Sequence, residues 1–381
     1  MIDIIEKHFE SVYELYKKIV LISSESHDKE GVDRVCSAVY EFALSHGFKA
    51  EITENEKAGN ELILTFNHES KEKPVVFLAH MDTVHKKGIF EKMFEEKDGK
   101  IYGPGVLDCK GGIAVSLLTA MALKDYGYLK PLRIVLVCDE EISMMLSGKK
   151  GIDFITDNVK DASFVFTCES GTEDKIVVGR KGAARYRVTV RGKAAHAGAH
   201  YDEGISAIKA ACLKILEIEK MSDVNSITYN CGLITGGKAS NIVPDLCEFV
   251  VDVRYLNREQ MEKSEKALYN ILNSDSTEGI SIEVENISRR EAMEATVQNL
   301  KLFERVKSVS EKLGYEKFTS FVSGGASDAA FSSAMGIPTL CGMGITGESQ
   351  HTVNEKANLD SLKKRSHILA DTVISLYEEA L

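Results

Sequence analysis

The sequence predicts an α/β protein in which a mostly parallel sheet flanked by helices is interrupted by an inserted α+β domain. Apolar runs of strand length alternate with segments of helical periodicity over residues 1–178, and similar patterns return over 291–381. Between them, over 179–290, the strand-like runs alternate apolar with polar residues. That alternation is typical of an antiparallel sheet with one solvated face.

The elements of the first part follow from the spacing of apolar residues. Helices are predicted over 4–20 and 31–46, where apolar side chains recur every three or four positions. Runs rich in Val, Ile, Leu and Phe predict strands at 61–66, 74–79, 132–138 and 163–168. An apolar helix predicted over 111–127 separates the second and third of these strands, which suits parallel pairing.

The insertion and the last part give further elements. Inside the insertion, strands are predicted at 185–192, 225–234, 246–255 and 281–287, and helices over 203–219 and 259–273. Helical and strand patterns resume over 297–313, 327–335, 337–342 and 358–380. We therefore predict one domain from residues 1–178 and 291–381, and a second, inserted domain from residues 179–290.

Composition limits the class of protein. Of the 381 residues, 44% are hydrophobic and 28% charged, and the formal net charge is −11. An acidic protein is not attracted to nucleic acid or to an anionic membrane, so neither is expected as a partner. Eight cysteines without a CxxC pair, together with a charged amphipathic N-terminal segment, predict free thiols and a cytoplasmic location.

Five residues that commonly bind metals lie at strand ends or in loops: His80, Asp108, Glu141, Glu169 and His351. Open α/β sheets collect their active sites outside the carboxyl ends of the strands. Three carboxylates and two imidazoles suit two divalent cations such as zinc that share one bridging carboxylate. The sequence therefore predicts a two-metal centre.

Each of these residues also has a simpler interpretation. Asp108, which stands before a predicted helix, is a plausible helix cap, and the acidic run Asp139–Glu141 is a plausible solvated loop. One of the two glutamates in that run can bind metal while the other takes a proton from an attacking water, but spacing does not decide which. His85, followed by two lysines, is interpreted as solvent-exposed.

The same segments resemble, in order and spacing, the zinc-dependent exopeptidase and deacylase family that includes glutamate carboxypeptidase, acetylornithine deacetylase, succinyl-diaminopimelate desuccinylase and aminoacylases. The match covers almost the whole chain. It rests on HMDTV (80–84), GPGVLDCKGG (103–112), DEE (139–141), CES (168–170), GKAAHAG (192–198), GGKASNIVPD (236–245), VDVRY (251–255), SGGASDAAF (323–331) and HTVNE (351–355).

The resemblance implies two divalent metal ions per subunit, most simply zinc, with cobalt or manganese as alternatives. One ion would bind His80, Asp108 and Glu169, and the other would bind Asp108, Glu141 and His351, with Asp108 bridging. It also implies that Glu140 is the general base and that Asp82 orients His80. The peptide bond after Asp108 would be cis.

For the insertion, the resemblance implies a lid that also forms a homodimer. His196 would stabilise the oxyanion of the reaction, either in its own subunit or across the dimer. Asn241 and Arg254 would help to hold the substrate carboxylate. Gly325, in the SGGASDA segment, would form part of a backbone wall near the carboxylate end of the substrate.

Together these features predict a metallohydrolase that cleaves an amide bond next to a free carboxylate, of carboxypeptidase or di/tripeptidase type. An N-acyl-amino-acid deacylase would use the same site, so the substrate is either a small peptide or an N-acyl amino acid. A non-catalytic binding scaffold would have lost the base or a ligand, and none is missing. A two-metal phosphoesterase would need more cations near the metal loops than Lys86 and Lys87 provide.

Overall fold

The computed structural model describes residues 1–67, 69–274 and 278–378. Its helices are α1 (Ile2–Val20), α2 (Lys29–Ser45), α3 (Lys110–Tyr126), α4 (Lys149–Val159), α5 (Ala207–Glu219), α6 (Arg258–Asn273), α7 (Val297–Lys312), α8 (Ala329–Ala334) and α9 (Leu359–Glu378). Its strands are β1 (Lys49–Thr53), β2 (Glu61–Phe66), β3 (Val75–His80), β4 (Glu95–Lys97), β5 (Lys100–Tyr102), β6 (Leu132–Val137), β7 (Phe164–Thr167), β8 (Lys175–Arg180), β9 (Gly182–Arg191), β10 (Ala195–His196), β11 (Thr228–Gly236), β12 (Ile242–Val243), β13 (Leu246–Tyr255), β14 (Ser281–Arg290), β15 (Thr319–Ser323), β16 (Thr339–Leu340), β17 (Gly347–Glu348) and β18 (Lys356–Asn358).

The chain forms two compact units. The first comprises Met1–Gly179, Ala295–Val322 and Ser327–Leu381, and the second comprises Arg180–Glu294 with Ser323–Ala326. The first transition lies one residue from the sequence-based boundary, whereas the return lies four residues later than expected. The lid and dimerisation roles of the insertion stay predictions. Of the helix predicted over 358–380, the last two positions lie outside the described residues.

The first unit is built on a six-stranded sheet in the order β1-β2-β6-β3-β7-β16. The four strands from β6 to β16 are parallel, while β1 and β2 add antiparallel pairs at one edge. The fold class predicted from the sequence is thereby confirmed. Within the described ranges, no helix is long and apolar enough to cross a membrane.

Helix α3 is buried around its whole circumference from Lys110 to Leu123, where it packs against α1, α9 and β3. Its first turn requires glycine. A Cβ atom on Gly112 would lie 1.8 Å from the carbonyl oxygen of Cys168, and one on Gly111 would lie 2.4 Å from that of Val106. Gly112 therefore lets the start of α3 approach the end of β7 closely, and Gly111 lets it approach the preceding loop.

A buried carboxyl group stands apart from the rest of this core. Glu61, at the start of β2, is 0% exposed, and neither of its oxygens has a hydrogen-bond partner among the described residues. Burial raises the pKa of Glu61 to about 8, with Asp139 and Asp328 adding to the effect and Asn55 and Lys150 opposing it. The folded protein therefore favours the neutral acid.

We expect this carboxyl to make the protein less stable as the pH rises. The pKa of Glu61 is above its ordinary value in the folded state. The resulting loss of folding stability is therefore absent below about pH 4.5 and complete above about pH 8. Glu61→Gln removes the ionising group. The gain in melting temperature over the wild type should be clearly larger at pH 8 than at pH 5. The difference between the two gains should correspond to a few kcal/mol in the free energy of unfolding. Equal differences at both pH values would contradict this.

The second unit has a four-stranded antiparallel sheet in the order β11-β13-β9-β14. Along β9 and β13, buried residues alternate with more exposed ones. Helices α5 and α6 contact the sheet and each other, and α5 buries Ala207, Ala211 and Ile218. The predicted sheet with one solvated face is therefore present.

Candidate metal centre

Three neighbouring strands of the first unit bring polar residues to one edge of the sheet. Strand β3 lies between β6 and β7 and is parallel to both. It ends at His80, while Glu140 and Glu141 follow β6 and Glu169 follows β7. Because parallel strands have their carboxyl ends at the same edge, these residues, which are distant in sequence, become neighbours.

The first cluster joins His80, Asp108, Cys109 and Glu169, all of them buried. Nε2 of His80 lies 3.1 Å from Oδ1 of Asp108 and 3.9 Å from Oε2 of Glu169. One candidate ligand atom from each residue lies within 4.8 Å of the others. The Cys109 thiol donates a hydrogen bond to the Cys168 carbonyl at 3.0 Å.

The second cluster joins Asp108, Glu141 and His351. Nε2 of His351 lies 3.1 Å from Oδ2 of Asp108 and 3.2 Å from Oε2 of Glu141. Asp108 therefore presents one oxygen to each of two imidazoles. The peptide bond between Asp108 and Cys109 is cis, as the resemblance implied.

Asp82 connects the two sides of this arrangement. Its carboxylate lies 3.2 Å from Nδ1 of His80, on the side of the ring opposite Asp108. The same carboxylate accepts the backbone N–H groups of Glu140 and Glu141 at 3.2 Å each, and the Ser26 hydroxyl at 2.6 Å. Asp82 thus contacts the His80 ring, through its carbonyl oxygen as well as its carboxylate, and holds the start of the acidic loop.

The electrostatics of the clusters fit divalent cations. Burial raises the pKa of Glu141 to about 7, and its Oε1 atom has no hydrogen-bond partner among the described residues. Burial alone would raise the pKa of Asp108, but hydrogen bonds from His351 and His80 hold it well below its usual range. Hydrogen bonds to Asp108 and Glu141 raise the pKa of His351 to about 10. Protonated imidazoles here supply positive charge that metal ions would replace.

Glu140 differs from its neighbour. It belongs to neither cluster found among the described residues, whereas the Glu141 side chain is 5% exposed and faces His351. Its backbone is nevertheless held by Asp82. Glu140 therefore stands directly beside Glu141, which belongs to the second cluster.

Four of the residues singled out in the sequence belong to the second unit. His196 lies on β10, opposite Ile242 of β12, and the carbonyl of the adjacent Asn241 accepts the N–H of Ala197. The structure therefore brings His196 and Asn241 together. Gly325 accepts a hydrogen bond from Arg180 at its carbonyl oxygen.

Arg254 lies far from that pair within the second unit. It is near the end of β13, whereas the β10–β12 pair adjoins the beginning of β13 at Leu246. Leu246 and Arg254 are eight positions apart on this strand, which corresponds to about 26 Å. The Arg254 guanidinium contacts Asp252 on its own strand at 2.5 Å. Arg254 and the β10–β12 pair therefore adjoin opposite ends of β13.

Comparison with known proteins assigns the family. The model of peptidase family M20/M25/M40 matches residues 76–375, which is well over half of the chain. The chain belongs to this family. The M20 family assignment confirms the resemblance found in the motifs and makes the protein a metal-dependent hydrolase.

Several relatives of this M20 protein match along most of their length. Carboxypeptidase G2 of Pseudomonas sp. (strain RS-16) is 28% identical over 380 residues, covering 96% of this chain and 89% of that protein. Succinyl-diaminopimelate desuccinylase of Rickettsia akari (strain Hartford) is 26% identical over 359 residues, covering 87% and 91%. The crystal structure of aminopeptidase PepT from Bacillus cereus ATCC 10987 has a TM-score of 0.80 at 24% identity, covering 97% and 98%, and supports the fold.

Sequence reasoning misjudged one residue of this M20 chain and gave no role to another. His85 was expected to be exposed, yet it is only 6% exposed, and its Nε2 atom lies 2.7 Å from the carboxylate of Glu355. Glu355 is the last residue of the HTVNE motif (351–355), and it was assigned no role from the sequence. The glutamate four residues after His351 was the available signal, but its partner lies 270 positions away.

Proposed function

We propose that this protein is a two-zinc peptidase of carboxypeptidase or di/tripeptidase type, which hydrolyses an amide bond next to a free carboxylate. The observation that carries the proposal is the position of Asp108, whose two oxygens face two different imidazoles at 3.1 Å each. A carboxylate with one oxygen toward each of two nitrogen ligands is suited to bridging two cations.

The residues fit two ions as follows. His80, Asp108 and Glu169 would hold one ion, and Asp108, Glu141 and His351 would hold the other. Imidazole and carboxylate are ligands that zinc accepts, and cobalt or manganese could occupy the same set. When bound, such ions polarise the substrate carbonyl and make the attacking water more acidic.

Glu140 is the residue that moves protons in this proposal. As general base it takes a proton from the attacking water, and it then gives that proton to the nitrogen of the leaving amine. The hydrogen bond from its backbone N–H to Asp82 supports the role, because it holds Glu140 beside the ligand that Asp82 orients. Glu140 is a half-buried residue that follows β6, at the edge of the sheet where the metal ligands lie.

His196 would stabilise the negative charge that develops on the carbonyl oxygen. Its Nδ1 atom accepts hydrogen bonds from the backbone N–H groups of Gly198 and Ala199, at 3.2 and 3.1 Å. An imidazole whose Nδ1 accepts hydrogen bonds carries its proton on Nε2. The ring therefore has one N–H donor directed away from its own loop, as an oxyanion requires.

Substrate contacts would come from Asn241, Arg254 and Gly325. Asn241 lies beside His196 and would act with it, while the Arg254 guanidinium suits a carboxylate. Arg254 and the His196–Asn241 pair adjoin opposite ends of β13, so a small substrate would contact both most readily if two subunits contributed. This separation supports a dimer in which the pair acts across the interface.

The second unit also has a surface that suits a second copy of the chain. Leu213 and Leu216 on α5, together with Leu233 and Ile234 on β11, are at least half exposed. Strand β11 lies at the edge of the four-stranded sheet. An apolar edge of this kind is commonly covered by its own copy across a two-fold axis. We therefore propose a homodimer through the inserted domain.

Mixing two inactive variants tests the dimer and the role of His196 together. If His196 acts on the partner's site, a dimer of one His196→Ala chain and one Glu140→Gln chain contains one site with both residues intact. Random subunit exchange should then restore about a quarter of wild-type activity. A double variant mixed with Glu140→Gln is the control and should stay inactive. No recovery despite verified exchange would place His196 in its own subunit's site or outside the reaction.

The second candidate function is an N-acyl-amino-acid deacylase. It is favoured by the 26% identity to a protein named succinyl-diaminopimelate desuccinylase, whereas the 28% identity to one named carboxypeptidase G2 favours the peptidase. A screen of zinc-loaded protein against dipeptides, tripeptides and N-acyl amino acids separates them. We expect peptides to be the better substrates, and faster turnover of N-acyl amino acids would reverse the assignment. A cytoplasmic location, expected from the cysteine content, completes the proposal.

A further inference from the structure

The buried carboxylate of Glu355 lies behind the proposed metal centre. Glu355 is 1% exposed and accepts the backbone N–H groups of Gly105, Leu107 and Asp108, at 3.2, 2.8 and 3.0 Å. A fourth contact is made with Nε2 of His85 at 2.7 Å. A buried charge with this many donors is well stabilised, and each donor is fixed in position in return.

These four contacts join three ligand-bearing segments. Glu355 follows His351 by four residues, the three amides belong to the loop that carries Asp108, and His85 follows His80 by five residues. The backbone strengthens the link, because the N–H of Gly103 donates to the Glu355 carbonyl at 3.4 Å. One side chain thus connects loops that are otherwise more than 200 positions apart.

The His351 loop needs such a support. His351 has a φ of 62°, and Ser349 in the same loop has a φ of 66°, a left-handed conformation that costs non-glycine residues energy. The imidazole is half exposed, so packing around the ring does little to hold it. The Glu355 side chain anchors the loop from its buried end.

The Asp108 loop and the His85 ring, which Glu355 also contacts, are held in position as well. The N–H of Asp108, the residue whose carboxylate faces both imidazoles, is itself one of the three amides bound by Glu355. The His85 ring packs edge-on against Phe90, with ring centres 4.9 Å apart, so the partner of the carboxylate is held in orientation. Movement of Glu355 would therefore move Asp108 and His351 relative to each other.

We propose that Glu355 is a positioning residue for the metal centre. It holds the Asp108 and His351 loops so that one oxygen of Asp108 remains available to each ion, and His85 keeps the carboxylate in place. This inference rests on the proposed two-metal site. It assigns to Glu355 no contact with metal or substrate, only control of the geometry of the residues that make those contacts.

Glu355→Gln tests the proposal because the amide keeps the size but loses the charge and can no longer accept at both ends. Metal-free protein would be titrated with cobalt(II) chloride and followed by visible absorption, with bound zinc measured separately by mass spectrometry. We expect roughly 10–100-fold weaker binding, as for other residues that support metal ligands, and an altered cobalt spectrum. A role in stability alone would lower the melting temperature of the metal-free protein but leave the spectrum of the loaded protein unchanged.

The matched control is Glu61→Gln, which makes the same chemical change at an equally buried carboxyl of the same unit that has no hydrogen bond to the metal loops. It should bind cobalt like the wild type. If Glu355→Gln fails to fold, His85→Gln carries the test, since it alters only one of the four contacts and should weaken binding several-fold.

The outcomes separate this inference from the function on which it rests. A wild type that binds no divalent metal would overturn both. A wild type that binds two ions, with folded Glu355→Gln and His85→Gln variants matching its affinity and spectrum, would overturn the positioning role alone. Weaker binding in both variants, with wild-type behaviour in Glu61→Gln, is the result expected.

Discussion

Replacing Glu140 with Gln is expected to lower kcat by about a hundredfold or more while leaving metal binding intact. The amide cannot take a proton from the attacking water, but Glu140 belongs to neither of the two clusters found in the described ranges. Its backbone hydrogen bond to Asp82 does not depend on the side chain, so the loop should keep its position. Steady-state kinetics and metal analysis of the same preparation measure the two quantities.

Glu141→Gln is the matched control for this prediction. It makes the same change one residue later, in a side chain whose Oε2 atom lies 3.2 Å from His351. We expect this variant to lose metal affinity, and activity only as a consequence, so that added zinc recovers part of the rate. If Glu140→Gln lost metal and Glu141→Gln kept it, the two roles would have to be exchanged.

Asp108→Asn is expected to have the largest effect on metal binding, because Asp108 is the only residue common to both clusters identified in the described part of the chain. The neutral amide removes the negative charge that both ions would share. The loss of affinity should exceed the roughly 10–100-fold typical for residues that merely support a ligand, and hydrolysis should fall to background.

The comparison with Glu141→Gln makes the Asp108 result specific. We expect two ions per chain in the wild type, one in Glu141→Gln and none in Asp108→Asn, all measured at the same zinc concentration after removal of loosely bound metal. An Asp108→Asn protein that keeps one tightly bound ion would show that this carboxylate is not shared. Circular dichroism of each variant verifies that the protein is folded.

The parts of the centre that follow from local pattern were accessible from the sequence. Strands β3, β6 and β7 appear as mainly apolar runs; β3 ends at a histidine, and β6 and β7 are each followed within two residues by an acid. Parallel strands are buried on both faces, so such runs end only where the chain reaches the sheet edge. That rule predicts that His80, the acidic run Asp139–Glu141 and Glu169 lie at one edge.

Contacts between segments that are distant in sequence could not be predicted from local pattern. His85 is followed by two lysines, which suggests a surface loop, and only the folded chain brings Glu355 against it. The wide spacing between His196 and Arg254 was equally hidden. Both residues lie in short motifs, and the order of the motifs along the chain does not give the distance between them in the fold.

Element ends show a smaller error of the same kind. The helix predicted from residue 203 begins at Ala207, because the Ser206 hydroxyl accepts the N–H of Lys209 and so caps it. Strands β1 and β2 form an antiparallel edge on the otherwise parallel sheet, since the short connection between them permits no crossover. The capping serine was present in the sequence and would have corrected the predicted start of the helix.

We propose that catalysis requires two divalent ions held by five residues, of which Asp108 is shared by both ions. Titration of zinc into exhaustively chelated protein, with peptide hydrolysis measured at each step, tests it most directly. We expect no activity without metal and a rate that reaches its maximum at two equivalents of zinc per chain. Full activity after chelation, or a maximum reached at one equivalent, would contradict it.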